Sequence, residues 1–181
     1  MKRLLRQGWV RTGVPLSSIE SLADHSWSVA VLTFIFSTME NSLRETGIPK
    51  LDIQKAVLIA LFHDFHESES FDIDKSVNFV SSATLEDFQR ELEEGAIQNI
   101  LSKVPSSVKA PLSYLLTDQK SEEYHIARVS DLIDFLYQTE EYGKKHWIDE
   151  YQFKEFKSNA LHQLNQYKGQ FSFLEKFLLE I

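Results

Sequence analysis

Apolar residues recur at helical spacing along the first half of the chain. Between Leu22 and Thr46 they fall three or four positions apart, at Val29, Leu32, Phe36 and Met39. Such spacing places side chains on one face of a helix, and the following Gly47-Ile48-Pro49 is a stop signal. The sequence therefore predicts a helix from Leu22 to about Thr46 with these four residues facing inward.

The next predicted helix is apolar on almost all sides. It runs from Ile53 to about His66, and Asp52 is its predicted N-terminal cap. Residues 56–62 include no polar side chain. A helix without a polar face is expected to be buried. The stretch Ser68–Ser82, rich in Ser and Asp, predicts an ordered loop.

The second half of the chain predicts further helices with short connections. One opens at Thr84 and ends before Pro105, and its inward face consists of Leu85, Phe88, Leu92, Ile97, Ile100 and Leu101. Others are expected at Ser106–Leu116, from Ser121 to about Tyr142, near Tyr151–Tyr167 and at Phe171–Ile181. Two acids directly after Ser121 suit a helix N-terminus.

Chain breakers are sparse, with 6 glycines and 4 prolines among 181 residues. An all-β chain needs a turn signal every 8–12 residues or so, which this sequence does not supply. Hydrophobic residues make up 43% of the chain, enough to build a core. The prediction is one all-α domain over residues 1–181.

Composition excludes several classes of protein. Cysteine is absent, which rules out disulfide scaffolds, thiolate metal sites and cysteine nucleophiles. A formal net charge of −8 argues against binding to a nucleic-acid polymer. The longest apolar run, Val29–Phe36, is interrupted by Thr33 and is far shorter than a membrane span, and no targeting segment is visible. We expect a cytoplasmic protein without membrane contact.

Four groups of polar residues are candidates for chemistry: Asp24-His25, His63-Asp64, Glu67 with Asp72, and Asp131 with Asp134. Each group has a purely structural alternative. Asp24 favours the first turn of its helix whether or not it has another role. The Asp131 and Asp134 pair is equally typical of a solvated helix face.

Sequence context favours a metal site. His63-Asp64 ends an apolar helix, and Asp131 lies within another apolar stretch, where an unpaired charge is costly. Glu67 follows His63 by four positions, close to one helical turn. The expected ligands are His25, His63, Asp64 and Asp131. Such a set without sulfur suits one divalent ion (Co, Mn, Mg, Fe, Ni or Zn) and leaves coordination positions for water and substrate.

These residues resemble the signature of a known family. Segments 20–26, 63–67 and 128–131 are similar, in order and spacing, to the motifs of the HD-domain metal-dependent phosphohydrolases. The likeness is greatest to the YfbR-like and oxetanocin-like branch of 5′-deoxynucleotidases. Arg6-Gln7-Gly8-Trp9 is similar to that branch's arginine–x–glycine–tryptophan opening, and the resemblance extends over about residues 6–142.

The resemblance implies a compact helical bundle with a metal site between helices. It implies that His25, His63, Asp64 and Asp131 hold the ion and that Glu67 is the general acid/base. Asp72 would be a carboxylate on the substrate side. Arg6 would contact phosphate and Trp9 would line the nucleotide pocket, although Trp9, Trp27 and Trp147 also suit a core or an interface.

Four residues depart from the family pattern: His66, Phe71, Asp74 and Arg128. His66 either packs away from the site or enters the pocket and contacts phosphate. The leading interpretation is a 5′-nucleotidase acting on a small nucleotide substrate. The alternatives are a metal- and nucleotide-binding module that has lost turnover, or a phosphodiesterase of the same superfamily.

The C-terminal segment, about 151–181, has two interpretations. Phe171, Phe173, Leu174, Phe177 and Leu178 are more apolar than a lone surface helix needs. They either complete the domain's own core or form the interface of the homodimer that the resemblance implies.

Overall fold

The computed structural model describes residues 1–70 and 82–179, with the side chains of 82–86 excepted. The chain forms helices α1 (Gln7–Val10), α2 (Leu22–Leu43), α3 (Ile53–Phe62), α4 (Glu67–Ser70), α5 (Ser82–Lys103), α6 (Ser106–Thr117), α7 (Glu122–Lys144), α8 (Glu150–Asn165) and α9 (Ser172–Leu178). The described residues contain no strand, although Leu5 and Ser21 form an isolated bridge. The predicted all-α class is confirmed.

Side-chain caps fix where the long helices begin. Ser21 and Asp24 form a reciprocal capping box at the start of α2, which is the structural role considered for Asp24. Asp52 and Ser121 cap α3 and α7 as the sequence predicts. Asp149 begins α8 with a second capping box. These caps satisfy backbone N–H groups that would otherwise lack partners.

Two predictions of helix bounds are wrong around the chemical motifs. Helix α3 ends at Phe62 rather than about His66, because the backbone tightens into a turn and the Phe65 N–H donates to the Phe62 carbonyl at 3.0 Å. Residues 68–70, expected in a loop, belong to the short helix α4, which begins at Glu67. Most of that predicted loop, with Asp72, lies outside the described residues.

Helices α2, α3 and α7 pack against one another at the centre of the molecule. Helix α8 covers α7, and α9 packs on α2. Their shared core includes Ile126, Val129 and Ile133 of α7. Because α2 and α7 are both long, polar residues placed on their facing sides become buried near the middle of the bundle.

The C-terminal residues complete this core. Phe171, Phe173 and Leu174 are buried, and the Phe173 ring stacks on Phe36 with centroids 4.7 Å apart. The buried Glu40 carboxylate accepts a hydrogen bond from the Phe173 N–H at 3.3 Å. These contacts place Phe171, Phe173 and Leu174 in the core of the domain.

A second core cluster holds the N-terminal segment against the end of α7. Trp9 stacks on Phe135 with centroids 5.1 Å apart and meets Tyr142 edge-on. The Tyr142 hydroxyl donates to the Ser18 carbonyl at 3.0 Å. The cluster fixes the approach of residues 1–19 to the bundle and thereby the position of Arg6.

Two residues predicted to face inward are exposed, Met39 on α2 and Phe88 on α5. Trp27 is also exposed, whereas Trp9 is buried. Helical spacing identifies apolar faces but cannot say which of two apolar faces a neighbouring helix covers. Among the residues that the structure describes, no helix has both the length and the apolar character of a membrane span.

Two glycines in long helices should respond oppositely to alanine. A Cβ at Gly143 would lie 2.6 Å from Cδ2 of Phe153, whereas a Cβ at Gly95 would meet no atom within 4 Å. Gly143→Ala should destabilise the fold by about 1–3 kcal/mol, because the ring must shift. Gly95→Ala should stabilise it by about 0.5–1 kcal/mol through helix propensity. Urea denaturation of both variants measures the difference, and equal effects of the same sign would contradict the packing described.

Candidate metal centre

Three segments bring four polar side chains together inside the bundle. His25 comes from α2, His63 and Asp64 from the turn after α3, and Asp131 from α7. The His25 Nε2 atom lies 3.2 Å from Asp131 Oδ1 and 3.5 Å from Asp64 Oδ2. The His63 Nε2 atom lies 3.1 Å from the same Asp64 oxygen. All four predicted ligands therefore meet at one place.

Both imidazoles are held through their Nδ1 atoms. The Nδ1 atom of His25 lies 2.8 Å from Oδ2 of Asp134, and that of His63 lies 2.6 Å from the Ala60 carbonyl oxygen. Since both partners are acceptors, each Nδ1 carries the hydrogen. Neither Nε2 atom has a hydrogen-bond partner of good geometry within the described part of the chain. Each Nε2 therefore faces the shared space as a potential ligand atom.

This donor set suits a divalent metal ion. Ligand atoms of His25, His63 and Asp131 lie within 4.8 Å of one another, and Asp64 borders both imidazoles. Metal-binding histidines usually donate their other ring N–H to a carboxylate or a carbonyl, which is the arrangement found here. Two imidazoles and two carboxylates without sulfur suit first-row divalent ions and Mg²⁺.

Two arginines compensate the buried carboxylates. Arg6 Nη1 donates to Asp64 Oδ2 at 2.8 Å. Arg128 donates to Asp131 and, through Nη2, to Gln163 Oε1 at 3.0 Å. Burial alone would raise the pKa of each aspartate, but these arginines and the two histidines hold both pKa values well below the ordinary range. Both carboxylates are therefore ionised at neutral pH.

The pKa values of the two imidazoles shift in the opposite direction, upwards. Burial opposes the charged form of His25, but the carboxylates of Asp131 and Asp134 outweigh it and raise its pKa to about 10. Burial likewise opposes protonation of His63, and Asp64 outweighs it, so the pKa of His63 is raised. At neutral pH a proton on His25 therefore offsets part of the negative charge of the site.

The remaining predicted site residues lie around this centre. Glu67 is the first residue of α4, its N–H donates to the Asp64 carbonyl at 3.1 Å, and its charge contributes to the raised pKa of Arg6. His66 lines a cleft together with His63 and Asp64, so it does not pack away from the site. Trp9 lies in the core and hydrogen-bonds Glu20, which favours the core interpretation for its ring.

The cleft has a volume of about 270 Å³ and leads away from the ligands. Arg128 and Tyr124 of α7, Glu93 of α5 and Gln119 contribute polar or aromatic groups. Its apolar wall consists of Ile59, Leu115, Leu116 and Ala127. A concave space with an apolar wall and a few polar groups at one end is typical of a small-molecule site.

Sequence reasoning names Asp134 as a candidate beside Asp131 but gives it no role in the metal site, and it overlooks the supporting roles of Glu20 and Gln163. Asp134 holds His25 and also accepts a hydrogen bond from Ser28. Glu20 lies on the same side of His25, and burial raises its pKa. The available signal for Asp134 is its spacing, because a carboxylate three positions after Asp131 shares its helix face. No comparable signal marks Gln163, which follows Arg128 by 35 positions.

Comparison with known proteins identifies the fold and its relatives. A family model described as HD domain matches residues 1–169. The structure is similar to an HD-domain phosphohydrolase from Listeria innocua, with a TM-score of 0.80, 26% identity and coverage of 99% of this chain and 82% of that one. No curated protein matches the sequence.

Two further solved structures are similar. A conserved hypothetical protein from Pyrococcus furiosus has a TM-score of 0.75 and 26% identity, over 99% of this chain and 91% of that one. A protein described as a predicted metal-dependent phosphohydrolase from Magnetospirillum magnetotacticum has a TM-score of 0.58 and 16% identity, over 99% and 82% of the two chains. At that identity the second likeness concerns the fold alone.

Metal binding should release protons from this site. Because the pKa of His25 is raised to about 10, the ion must displace a proton from it at neutral pH. Apparent affinity should rise between pH 6.5 and 8.5, by about tenfold per pH unit for each proton displaced. Calorimetric titration with Mn²⁺ in buffers of different ionisation enthalpy measures the proton count. Asp134→Asn, which removes one of the charges that raise this pKa, should lower the count, and no proton release from the unsubstituted protein would contradict the assignment.

Proposed function

Since the chain belongs to the HD-domain family, we propose that it is a divalent-metal-dependent phosphohydrolase that releases phosphate from (deoxy)nucleoside 5′-monophosphates. One observation carries the proposal: two imidazole Nε2 atoms and two carboxylates converge beside two arginines, and three of these residues, His63, Asp64 and Arg128, line a cleft. His25, His63, Asp64 and Asp131 would hold one ion.

The chemistry of phosphate esters supports this arrangement. Phosphomonoester hydrolysis is among the slowest uncatalysed reactions, so a catalyst must supply a nucleophile and neutralise charge. A bound divalent ion supplies both functions, by acidifying water and by polarising a phosphoryl oxygen. Arg6 and Arg128 add positive charge beside it in a chain whose net charge is −8, which favours an anionic substrate at this end of the cleft.

Glu67 is our candidate for the proton carrier. It begins α4 three positions after Asp64, and its charge acts on Arg6, which itself contacts Asp64. A carboxylate this close to the ligands suits transfer of a proton to the leaving oxygen. Asp72 remains our candidate for the second carboxylate, and it lies outside the described residues.

The cleft favours a nucleotide over a smaller phosphate ester. Its volume of about 270 Å³ exceeds what a phosphate group alone occupies, and its wall combines Tyr124 with Leu115 and Leu116. An aromatic ring beside aliphatic side chains suits the flat face of a base. The substrate that we propose is a small molecule and not a nucleic-acid polymer. We also propose that the reaction takes place in the cytoplasm, where nucleoside monophosphates occur.

One observation favours a second candidate. His66, which departs from the family pattern, adds an imidazole to the cleft wall beside the ligands. At this position the imidazole of His66 either donates a hydrogen bond to an additional phosphate oxygen or narrows the space for the substrate. The second candidate is therefore a metal- and nucleotide-binding module with impaired turnover, and a phosphodiesterase is the related alternative. Nucleotide binding by calorimetry without phosphate release would identify the module, and cleavage of cyclic nucleotides would identify the diesterase.

The direct test is phosphate release from a panel of ribo- and deoxyribonucleoside 5′-monophosphates. The protein is freed of metal with a chelator and then assayed with Co²⁺, Mn²⁺, Mg²⁺ or no added ion. We expect hydrolysis of at least one nucleotide that depends on added ion, and loss of that activity when the chelator is restored. Hydrolysis that is unaffected by removing the ion, or no hydrolysis with any ion, would contradict the proposal.

A pair of variants separates metal binding from proton transfer. Asp131→Ala should lower both metal content and turnover, because it removes a ligand. Glu67→Gln should retain the metal and lower turnover by about 10²–10⁴-fold, the usual contribution of general acid–base catalysis. Elemental analysis and turnover are measured on the same samples. Metal loss in Glu67→Gln together with metal retention in Asp131→Ala would reverse the assigned roles.

A further inference from the structure

Helix α7 sets the direction of the cleft. Its residues Asp131, Arg128 and Tyr124 are three and four positions apart, so they lie on one face of the helix. Arg128 and Tyr124 line the cleft, as do His63 and Asp64 of the metal centre. From the helical rise, Tyr124 lies about 10 Å along the axis from Asp131. The cleft therefore extends from the metal centre toward the beginning of α7.

Glu93 of α5 lies beside Tyr124 at the far end of the cleft. Both residues line the cleft. Burial raises the pKa of the Tyr124 hydroxyl, Arg128 opposes this shift, and the charge of Glu93 adds to it, so the carboxylate is near that hydroxyl. A nucleotide whose phosphate is at the metal centre would have its sugar near Arg128 and its base near Tyr124, two helical turns from Asp131. Glu93 therefore lies beside the expected position of the base.

The carboxylate of Glu93 is available to a ligand. Three of the described residues that line the cleft carry a carboxylate, and two of them have a cationic partner. Asp64 Oδ2 accepts a hydrogen bond from Arg6 at 2.8 Å, and Asp118 Oδ2 lies 3.1 Å from Lys55 Nζ. Glu93 forms neither a hydrogen bond nor an ion pair with any residue that the structure describes. Its oxygens are therefore the acceptors that this end of the cleft offers to a base.

The loop between α6 and α7 brings a neutral amide, that of Gln119, to the same end of the cleft. Asp118 fixes this loop, because its Oδ1 atom accepts hydrogen bonds from the N–H groups of Lys120 and Ser121, each at 3.1 Å. The Gln119 amide both donates and accepts hydrogen bonds, so it suits any base. Discrimination between bases therefore depends on Glu93.

We infer that Glu93 makes the cleft select nucleotides whose base carries an exocyclic amino group (cytosine, adenine or guanine) over those of uracil and thymine. The inference rests on the proposed function. An ionised carboxylate accepts hydrogen bonds and donates none. An exocyclic amino group donates to it, as that of cytosine does to Glu and Asp side chains in protein–DNA contacts. Uracil and thymine offer one ring N–H, and it lies between two carbonyl oxygens that the carboxylate repels.

Two matched pairs of substrates test the inference. Deoxycytidine 5′-monophosphate is compared with deoxyuridine 5′-monophosphate, and deoxyadenosine 5′-monophosphate with deoxyinosine 5′-monophosphate. Within each pair a carbonyl oxygen replaces the amino group at the same ring position. The amino member should have a kcat/KM for phosphate release with Mn²⁺ that is about 10- to 100-fold higher, the range for a hydrogen bond to a charged group. Calorimetric Kd values of the Mn²⁺-loaded protein should differ by a similar factor, and this comparison needs no turnover.

Glu93→Gln and its neighbour Glu94→Gln are a matched pair of variants. Glu93→Gln introduces an amide that donates as well as accepts, so the ratio within each substrate pair should fall close to one while the metal content is unchanged. Glu94→Gln makes the same change of charge at an exposed position outside the cleft lining, and it should keep the ratio of the unsubstituted protein.

Three results would overturn the inference: a ratio near one in the unsubstituted protein, a ratio that Glu93→Gln leaves unchanged, or equal effects of the two variants. A change in the preference between ribose and deoxyribose in Glu93→Gln, with the base ratio unchanged, would show that the carboxylate contacts the sugar and would also overturn it. No hydrolysis of any nucleotide contradicts the proposed function instead, and the Kd ratios then decide the role of Glu93.

Discussion

The contact between His25 on α2 and the two aspartates of α7 joins the fold to its chemistry. Asp134 holds one nitrogen of the buried ring, and Asp131 lies 3.2 Å from the other. Two carboxylates inside a helical bundle are costly unless positive charge compensates them. The protonated His25 and the arginines supply positive charge here, and a divalent ion bound at the same place would replace the proton. The main helix packing and the metal centre therefore depend on the same residues.

Helix α2 contributes both to the metal centre and to the core. Near its start it carries His25 and, three positions later, Ser28, and both are bonded to Asp134 of α7. Further along the helix, Phe36 stacks on Phe173 and Glu40 accepts a hydrogen bond from the Phe173 N–H. The same helix therefore positions a ligand and holds the C-terminal segment, while the cleft opens between α3, α6 and α7 with Glu93 of α5 on its wall.

Sequence reasoning succeeds where a local pattern has a direct physical consequence. Helical spacing predicts the long helices, and His63-Asp64 after an apolar stretch predicts polar groups at a buried helix end. It fails where distant elements decide the outcome. Nothing local shows that Met39 and Phe88 are exposed, because exposure depends on which neighbour packs on each face. Asp134 and Gln163 acquire their roles through His25 and Arg128, which are remote in sequence. The turn after α3 brings Asp64 to Arg6, which lies 58 positions away in the sequence, and no local pattern shows this contact.

The central claim is that two imidazole Nε2 atoms and two carboxylates form one metal centre. X-ray absorption spectroscopy of the cobalt-loaded protein tests it most directly, because imidazole rings give a characteristic multiple-scattering pattern whose amplitude reports their number. The account predicts two imidazole ligands with oxygen donors in the remaining positions, and one imidazole if His63→Ala still retains cobalt. A spectrum of the unsubstituted protein without imidazole scattering, or one unchanged by His63→Ala, would show that the ion binds elsewhere and would contradict the account.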